Sequence, residues 1–143
     1  MNTTAQAANI AQPSKALHIT LWIAQALLAV AFLGSGFMKL TSPIADMAVQ
    51  MPYTQDLPEI AVRIIGSLEI LGAIGLLLPS LLRIKPFLTS LAALGLLATM
   101  IGAAGLHASR GEMGNIPVNL VLGAIAAFIA WGRSKKSPIT PRG

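Results

Sequence analysis

The sequence contains no cysteine. That absence removes disulfides, thiol redox couples, thiolate metal sites and iron–sulfur clusters from consideration. Charge is scarce as well: 10% of the 143 residues are charged, against about a quarter in an ordinary soluble domain. A chain so poor in charge and 55% apolar is suited to lipid rather than water. No phosphate loop, nucleophile elbow or metalloprotease helix occurs in it, so the familiar catalytic motifs are missing. Nor does any ten-residue stretch alternate apolar and polar residues, which argues against membrane-spanning strands.

What is there is a set of four apolar runs: Ile19 to Met38, Ile64 to Leu82, Phe87 to Leu106, and Ile116 to Trp131, the last extended by Asn115 and Gly132. Each is close to the ~20 residues that cross the hydrocarbon layer as a helix. The expectation is therefore an all-α integral membrane four-helix bundle, with no room for a second domain. Residues 1–16 read as a disordered lead-in, 17–133 as the transmembrane domain and 134–143 as a basic tail. A competing reading treats the first run as a signal peptide, since Lys15 precedes it and Gly34 and Gly36 resemble a cleavage pattern; the run is longer than most signal cores.

Between the first two runs lies the longest connection, Thr41 to Glu59, with Pro43, Pro52 and Pro58. In it Ile44, Met47, Ala48 and Met51 fall at the i, i+3, i+4, i+7 spacing of a short amphipathic helix. The other connections are tight, so their neighbours should pack antiparallel.

The net charge of +5 would suit nucleic acid, but the bases sit at the ends of apolar runs and form no stripe, so no nucleic-acid partner is expected. They serve topology. One side of the membrane collects Lys15, Arg83, Lys85, Arg133, Lys135, Lys136 and Arg142 with no acidic residue. The other holds Lys39, Arg63 and Arg110 with Asp46, Asp56, Glu59 and Glu112. By the positive-inside rule the first side is cytoplasmic, with both termini in and the lipid bilayer as the principal partner.

Polar side chains within the apolar runs carry the functional expectations, because each is costly in lipid. Gln25, Ala29, Phe32, Gly36 and Lys39 share one face of the first helix, and Asn119, Gly123, Ala126, Ala130 and Arg133 repeat those offsets on the fourth. Gln25 and Asn119 read as structural amides bonding across helices. Glu69 shares a stripe with Gly66, Gly72 and Ala73 and lies about 10 Å below the non-cytoplasmic surface. At that depth it needs a cation or several donors. The groups at similar depth, and with Glu69 the candidates to hold a ligand, are Lys39, Arg63 and His107; Arg63 is about 120° round the helix from Glu69 and is expected to snorkel to the headgroups rather than pair with it. Thr99, Ala103 and His107 lie on one face of the third helix, which points His107 inward. His18 is at the opposite end, about 30 Å away, so the two histidines cannot share an iron and no metal site is expected.

The run Gly34-Ser-Gly-Phe-Met-Lys39-Leu40, then Ile65-Gly-Ser-Leu-Glu69-Ile-Leu-Gly-Ala-Ile-Gly-Leu-Leu-Leu-Pro79, then Ala92-Ala-Leu-Gly-Leu-Leu-Ala-Thr-Met100 with Gly102-Ala and His107, resembles the DoxX-like family of small four-helix membrane proteins. The resemblance covers roughly Leu21 to Arg133, and the order and spacing of Lys39, Glu69 and His107 carry it. The family takes its name from an archaeal protein linked to a membrane thiosulfate:quinone oxidoreductase, and some relatives are associated with oxidative-stress complexes. The resemblance implies a bacterial inner-membrane protein with a redox association.

Four functions compete on these residues. A redox subunit would bind quinone or anchor an oxidoreductase partner, with Lys39, Glu69 and His107 in a pocket open sideways to lipid. It would need no cofactor of its own beyond that quinone. A carrier or tolerance protein for small hydrophobic compounds would use Glu69 as a protonation switch in a cavity reaching both faces, most plausibly as a homo-oligomer. A scaffold would have a closed interior with Glu69 paired only to pin the bundle. A lone enzyme would gather acid, base and cation near Glu69, and it ranks last for want of a nucleophile or cofactor motif.

Overall fold

The computed structural model describes residues 13–143 and, among them, contains helices and no strands. Five α-helices follow in order: α1 (Lys15–Thr41), α2 (Ile44–Gln50), α3 (Glu59–Leu82), α4 (Phe87–Ser109) and α5 (Ile116–Trp131). Short 3₁₀ turns at Pro52–Gln55 and Met113–Asn115 precede α3 and α5, and a wider helical turn, Gly132–Lys136, continues α5. With those extensions, four helices are long and apolar enough to cross a membrane. The molecule is an integral membrane four-helix bundle with α2 as a short fifth helix.

The long helices overrun their apolar cores. α1 begins at Lys15, where the Ser14 hydroxyl accepts the Leu17 amide and caps the first turn, satisfying one of the orphan N–H groups that open a helix. This places the start of the helix inside the expected 1–16 lead-in, the rest of which lies mostly outside the described residues. α3 starts at Glu59 after Pro58, five residues before its apolar run, because nothing in Glu59 to Arg63 breaks a helix. α2 matches the amphipathic expectation in burial: Met47 is buried while Val49 is 83% exposed.

Packing runs α1 on α3, α3 on α4 and α4 on α5, while α1 and α5 meet over a much shorter stretch. The large side chains turned outward, among them Leu27, Val30, Phe37, Leu71 and Val121, face what would be lipid. The interior is a band of Leu28, Phe32, Leu76, Leu96 and Ile129 interleaved with alanines. Small residues let the backbones approach closely, which replaces the hydrophobic drive absent between helices in lipid.

The end of the bundle bearing the termini is filled. Leu21 packs where a side chain at position 132 would lie, so Gly132 has room for none. Arg133, 4% exposed, donates from Nε to Gln25 Oε1 at 2.6 Å and from Nη1 to the Ser137 carbonyl at 3.0 Å, and its guanidinium lies over the Trp22 ring at 5.2 Å. Gln25 in turn donates to the Leu76 carbonyl. The cross-helix amide expected at Gln25 is thus a three-helix junction. Ser80 and Thr89, both buried, share a 2.7 Å hydrogen bond between α3 and α4. The chain after the wide turn folds back, with the Arg142 amide donating to Arg83 O and Arg83 Nε to Thr140 O.

Candidate functional site

At the other, distal end the interior is hollow. The site starts from a glycine contact between α1 and α3. A Cβ built on Gly36 would lie 2.7 Å from the Gly66 carbonyl oxygen, and one on Gly66 would lie 2.7 Å from Lys39 Cβ. Only two bare backbones fit at this crossing. Because the helices run antiparallel, Lys39 stands opposite Gly66 and Glu69 opposite Gly36, and the same closeness lets their side chains meet across the crossing.

Lys39 Nζ lies 3.1 and 3.2 Å from the two carboxylate oxygens of Glu69 and also donates to Ser35 Oγ, one turn back on α1. The residues are 3% and 4% exposed. All three ammonium donors are therefore used, and the carboxylate has its counterion. Desolvating such a pair is expensive, and good geometry with complete hydrogen bonding is the condition on which it is tolerated.

The pair forms part of the wall of a cavity of about 620 Å³ enclosed by all four long helices and roofed by the segment between α2 and α3. Phe32, Ser35 and Lys39 come from α1, Ile65 and Glu69 from α3, Thr99, Met100, Ala103 and His107 from α4, and Asn119 and Leu122 from α5. Gln50, Met51, Tyr53 and Leu57 close the top. Ala31 on α1 and Val118 on α5, the two long neighbouring helices that meet over the shortest stretch, are among its exposed lining residues. Phe32 and Met100 belong both to its wall and to the packed band that includes Leu76, Leu96 and Ile129.

His107 is 8% exposed. Its Nδ1 is 2.7 Å from Glu112 Oε2, and the Tyr53 ring stands edge-on to its own at 5.6 Å. Glu112 also accepts from Arg110 Nε at 2.7 Å, and Arg110 pairs with Asp56 on the roof segment. A chain of charges thus ties the α4–α5 turn to the roof. The bonds from His107, and then from Arg110, hold the Glu112 carboxyl below the usual carboxylate range. Burial, and then the charge of Glu69, push the Tyr53 phenol up to about 12, so it stays a neutral hydroxyl donor.

Of the residues singled out from the sequence, Lys39, Glu69 and His107 line this one cavity, although His107 bonds to Glu112 and not to Glu69. Arg63 does not line it. Its Nη1 donates to the carbonyls of Lys39 and Ser42 at 2.7 and 2.8 Å, and Nε and Nη2 bond Glu59. The expectation that Arg63 reaches for the headgroups is thereby corrected: the unpaired carbonyls at the C-terminal end of α1 are nearer acceptors and attract a cation. Asn119 departs from its expected role too. Its Nδ2 is buried with no partner, so it does not bond across helices.

Tyr53, Ser35 and Glu112 were not singled out. Tyr53 is the one tyrosine of the chain, placed in a proline-bounded connection, a weak but readable signal. Ser35 precedes Lys39 by one helical turn, and Glu112 follows His107 by five residues across a helix end, a spacing that helical periodicity does not flag. Among the described residues no cluster of His, Cys, Asp and Glu could hold a metal ion.

No curated protein and no solved structure matches the chain. A family model does, over residues 23–129, a stretch that contains the glycine crossing, the ion pair, the roof and all the cavity-lining side chains. The chain belongs to the DoxX-like family.

Proposed function

We propose that this protein is a redox-associated membrane subunit that takes a lipid-soluble quinone into the distal cavity. It would sit in a bacterial inner membrane with both termini in the cytoplasm, beside an oxidoreductase partner. The observation that carries the reading is the half-enclosed cavity itself, mostly apolar, with a few polar groups at its distal end; a ligand would enter it from the lipid side between α1 and α5. Its volume of about 620 Å³ lies within the range of small-ligand sites, roughly 300–1,000 Å³.

The residues present fit a quinone. Apolar walls suit its ring and tail, and unspent donors suit its carbonyl oxygens. A quinone supplies electron and proton acceptance together, so its site needs a route for protons. His107 on the cavity wall and Glu112, bonded to it and partly exposed, form such a route to the distal surface. The chain has no cysteine, so electrons would come from the partner. A scaffold would have a closed interior and a carrier a cavity open to both ends; the hollow distal half and the filled end bearing the termini favour neither.

The test is ubiquinone and menaquinone binding by the purified protein in detergent, with Glu69→Gln and His107→Ala alongside. Binding by the wild type that both substitutions weaken is the expected result. Absence of binding by folded wild type would overturn the reading.

A further inference from the structure

Two of the three positive-φ positions among the described residues are not glycines, and both are cations in the turn between α3 and α4. Arg83 closes α3 at φ 57° and Lys85 follows at φ 44°. The left-handed region is costly to any residue with a Cβ, and glycine is its usual occupant at a helix end. Lys85 also precedes Pro86, and proline drives the residue before it toward extended backbone. Its conformation is therefore unfavourable twice over.

Two ordinary explanations leave Lys85 unaccounted for. The positive-inside rule asks for cations in a loop but not for cations at left-handed positions. A cation beside the last carbonyls of a helix is stabilising, which accounts for Arg83. Lys85 lies past the end of α3 and takes part in none of the ion pairs among the described residues. Strain kept where the local fold has no need of the side chain points to a use for that side chain.

The tail holds the turn in this shape. The Arg142 amide donates to the Arg83 carbonyl at 2.7 Å, and Arg83 Nε to the Thr140 carbonyl at 2.9 Å. Both Nη groups of Arg83 stay unspent among the described residues, and no acidic side chain lies on this side of the membrane to answer the cations. Apolar side chains flank them instead: Leu81, Leu82, Ile84 and Phe87 are all exposed, with Ile84 between Arg83 and Lys85. A soluble anion uses only the cations. A phospholipid engages both, its phosphate on the cations and its acyl chains on the apolar side chains.

We propose that the α3–α4 turn, braced by the tail, binds the headgroup of an anionic phospholipid through Lys85 and Arg83. The site lies at the opposite end of the bundle from the distal cavity and stands whatever that cavity holds. An anionic headgroup is preferred to a zwitterionic one because it brings a phosphate without an ammonium of its own to repel the two cations.

The test titrates the full chain in detergent with phosphatidylglycerol, or with phosphatidylcholine of the same acyl chains, and counts bound lipid by native mass spectrometry. Phosphatidylglycerol should bind at least about tenfold more tightly. Lys85→Gln and Arg83→Gln should each weaken it about fivefold, the share of one cation near a membrane surface, and leave phosphatidylcholine as it was. Equal affinity for the two lipids overturns the proposal. So does an equal loss in Lys135→Gln, a cation of the same end outside the turn, because a diffuse field and not a site would then attract the lipid. Inorganic phosphate that raises the melting temperature as much as phosphatidylglycerol does would show a site for the free anion and overturn the lipid claim.

Lys85→Gly separates headgroup binding from support of the turn. Glycine is at ease at φ 44°, so in phosphatidylcholine nanodiscs the melting temperature should hold or rise, while the preference for phosphatidylglycerol falls as in Lys85→Gln. A lower melting temperature there marks Lys85 as a structural residue of the turn and overturns its role on the headgroup.

Discussion

At the end bearing the termini, Arg133 is buried with no acidic side chain on its side of the membrane, held by Gln25, His18, the Ser137 carbonyl and the Trp22 ring. At the distal end Lys39 is buried as deeply, but against a full carboxylate, Glu69. The contrast follows from the two cations. A guanidinium spreads its charge over a plane and is weakly hydrated, so neutral acceptors and a ring face go far to hold it. An ammonium is a compact, strongly hydrated charge and needs a counterion when water is removed. The consequence is architectural. The arginine end can be packed solid from backbone carbonyls, amides and a glycine, whereas the lysine end commits two helices to one ion pair and leaves the space beside it open.

The largest effect that tests this contrast comes from breaking the ion pair. Lys39→Met or Glu69→Leu alone leaves a buried charge without its partner and should cost about 3–5 kcal/mol, while the double substitution should recover most of that loss. Arg133→Met leaves no counterion stranded, only the Gln25 oxygen, the Ser137 carbonyl and the His18 ring nitrogen short of a partner, and should cost about 1–2 kcal/mol. Unfolding of the four variants in mixed micelles measures the difference. Equal losses for Lys39→Met and Arg133→Met would show that the two ends are not distinct in kind.

A smaller effect concerns how the pair is positioned. Gly36→Ala puts a methyl group 2.7 Å from the Gly66 carbonyl oxygen, so α1 and α3 must separate; overpacking of this sort costs about 1–3 kcal/mol. Gly34, two residues earlier, has nothing within 4 Å of its would-be Cβ, and Gly34→Ala should be neutral or slightly stabilising through helix propensity. Thermal melts of the two variants decide whether the glycine crossing, rather than glycine content as such, sets the distance from Lys39 to Glu69.

How much of this was legible in the sequence depended on whether periodicity could report it. The four spans, the inward faces of α1 and α5, and the amphipathic α2 all follow from apolar spacing, and they are where that spacing places them. Lys39, Glu69 and His107 could be placed at a common depth because a helix converts residue number into height. Direction within the site could not be read in the same way. Arg63 turns toward the end of α1 because that end exposes carbonyls, a fact about a neighbouring helix. Asn119 stands unpaired beside a void, and a void leaves no mark on the residues that enclose it. Tyr53 enters from a connection whose path is set by three prolines and a 3₁₀ turn, where no period of 3.6 or 2 applies.

The smallest effect separates the two ends by pH. The distal clasp contains acidic side chains and the packed core around Arg133 contains none, so acid should loosen only the former. Glu112 is held below the usual carboxylate range by its bonds from His107 and Arg110. A carboxyl whose folded value is depressed contributes stability that is complete above its unfolded value of about 4.3 and is lost as pH falls through the lower, folded value. Protection of the Glu112 amide, which donates to the His107 carbonyl at 2.9 Å, should therefore fall below about pH 4, while amides around Gln25 keep theirs. Hydrogen exchange compared across pH after correction for intrinsic rates reads this directly. In Glu112→Gln the pH dependence should shrink to what Asp56 contributes through Arg110, and the turn should be loosened at every pH, because a neutral amide keeps the shape of the carboxylate without its charge. Equal acid sensitivity at both ends would mean that the bundle opens as one unit and that the clasp has no separate hold on the roof of the cavity.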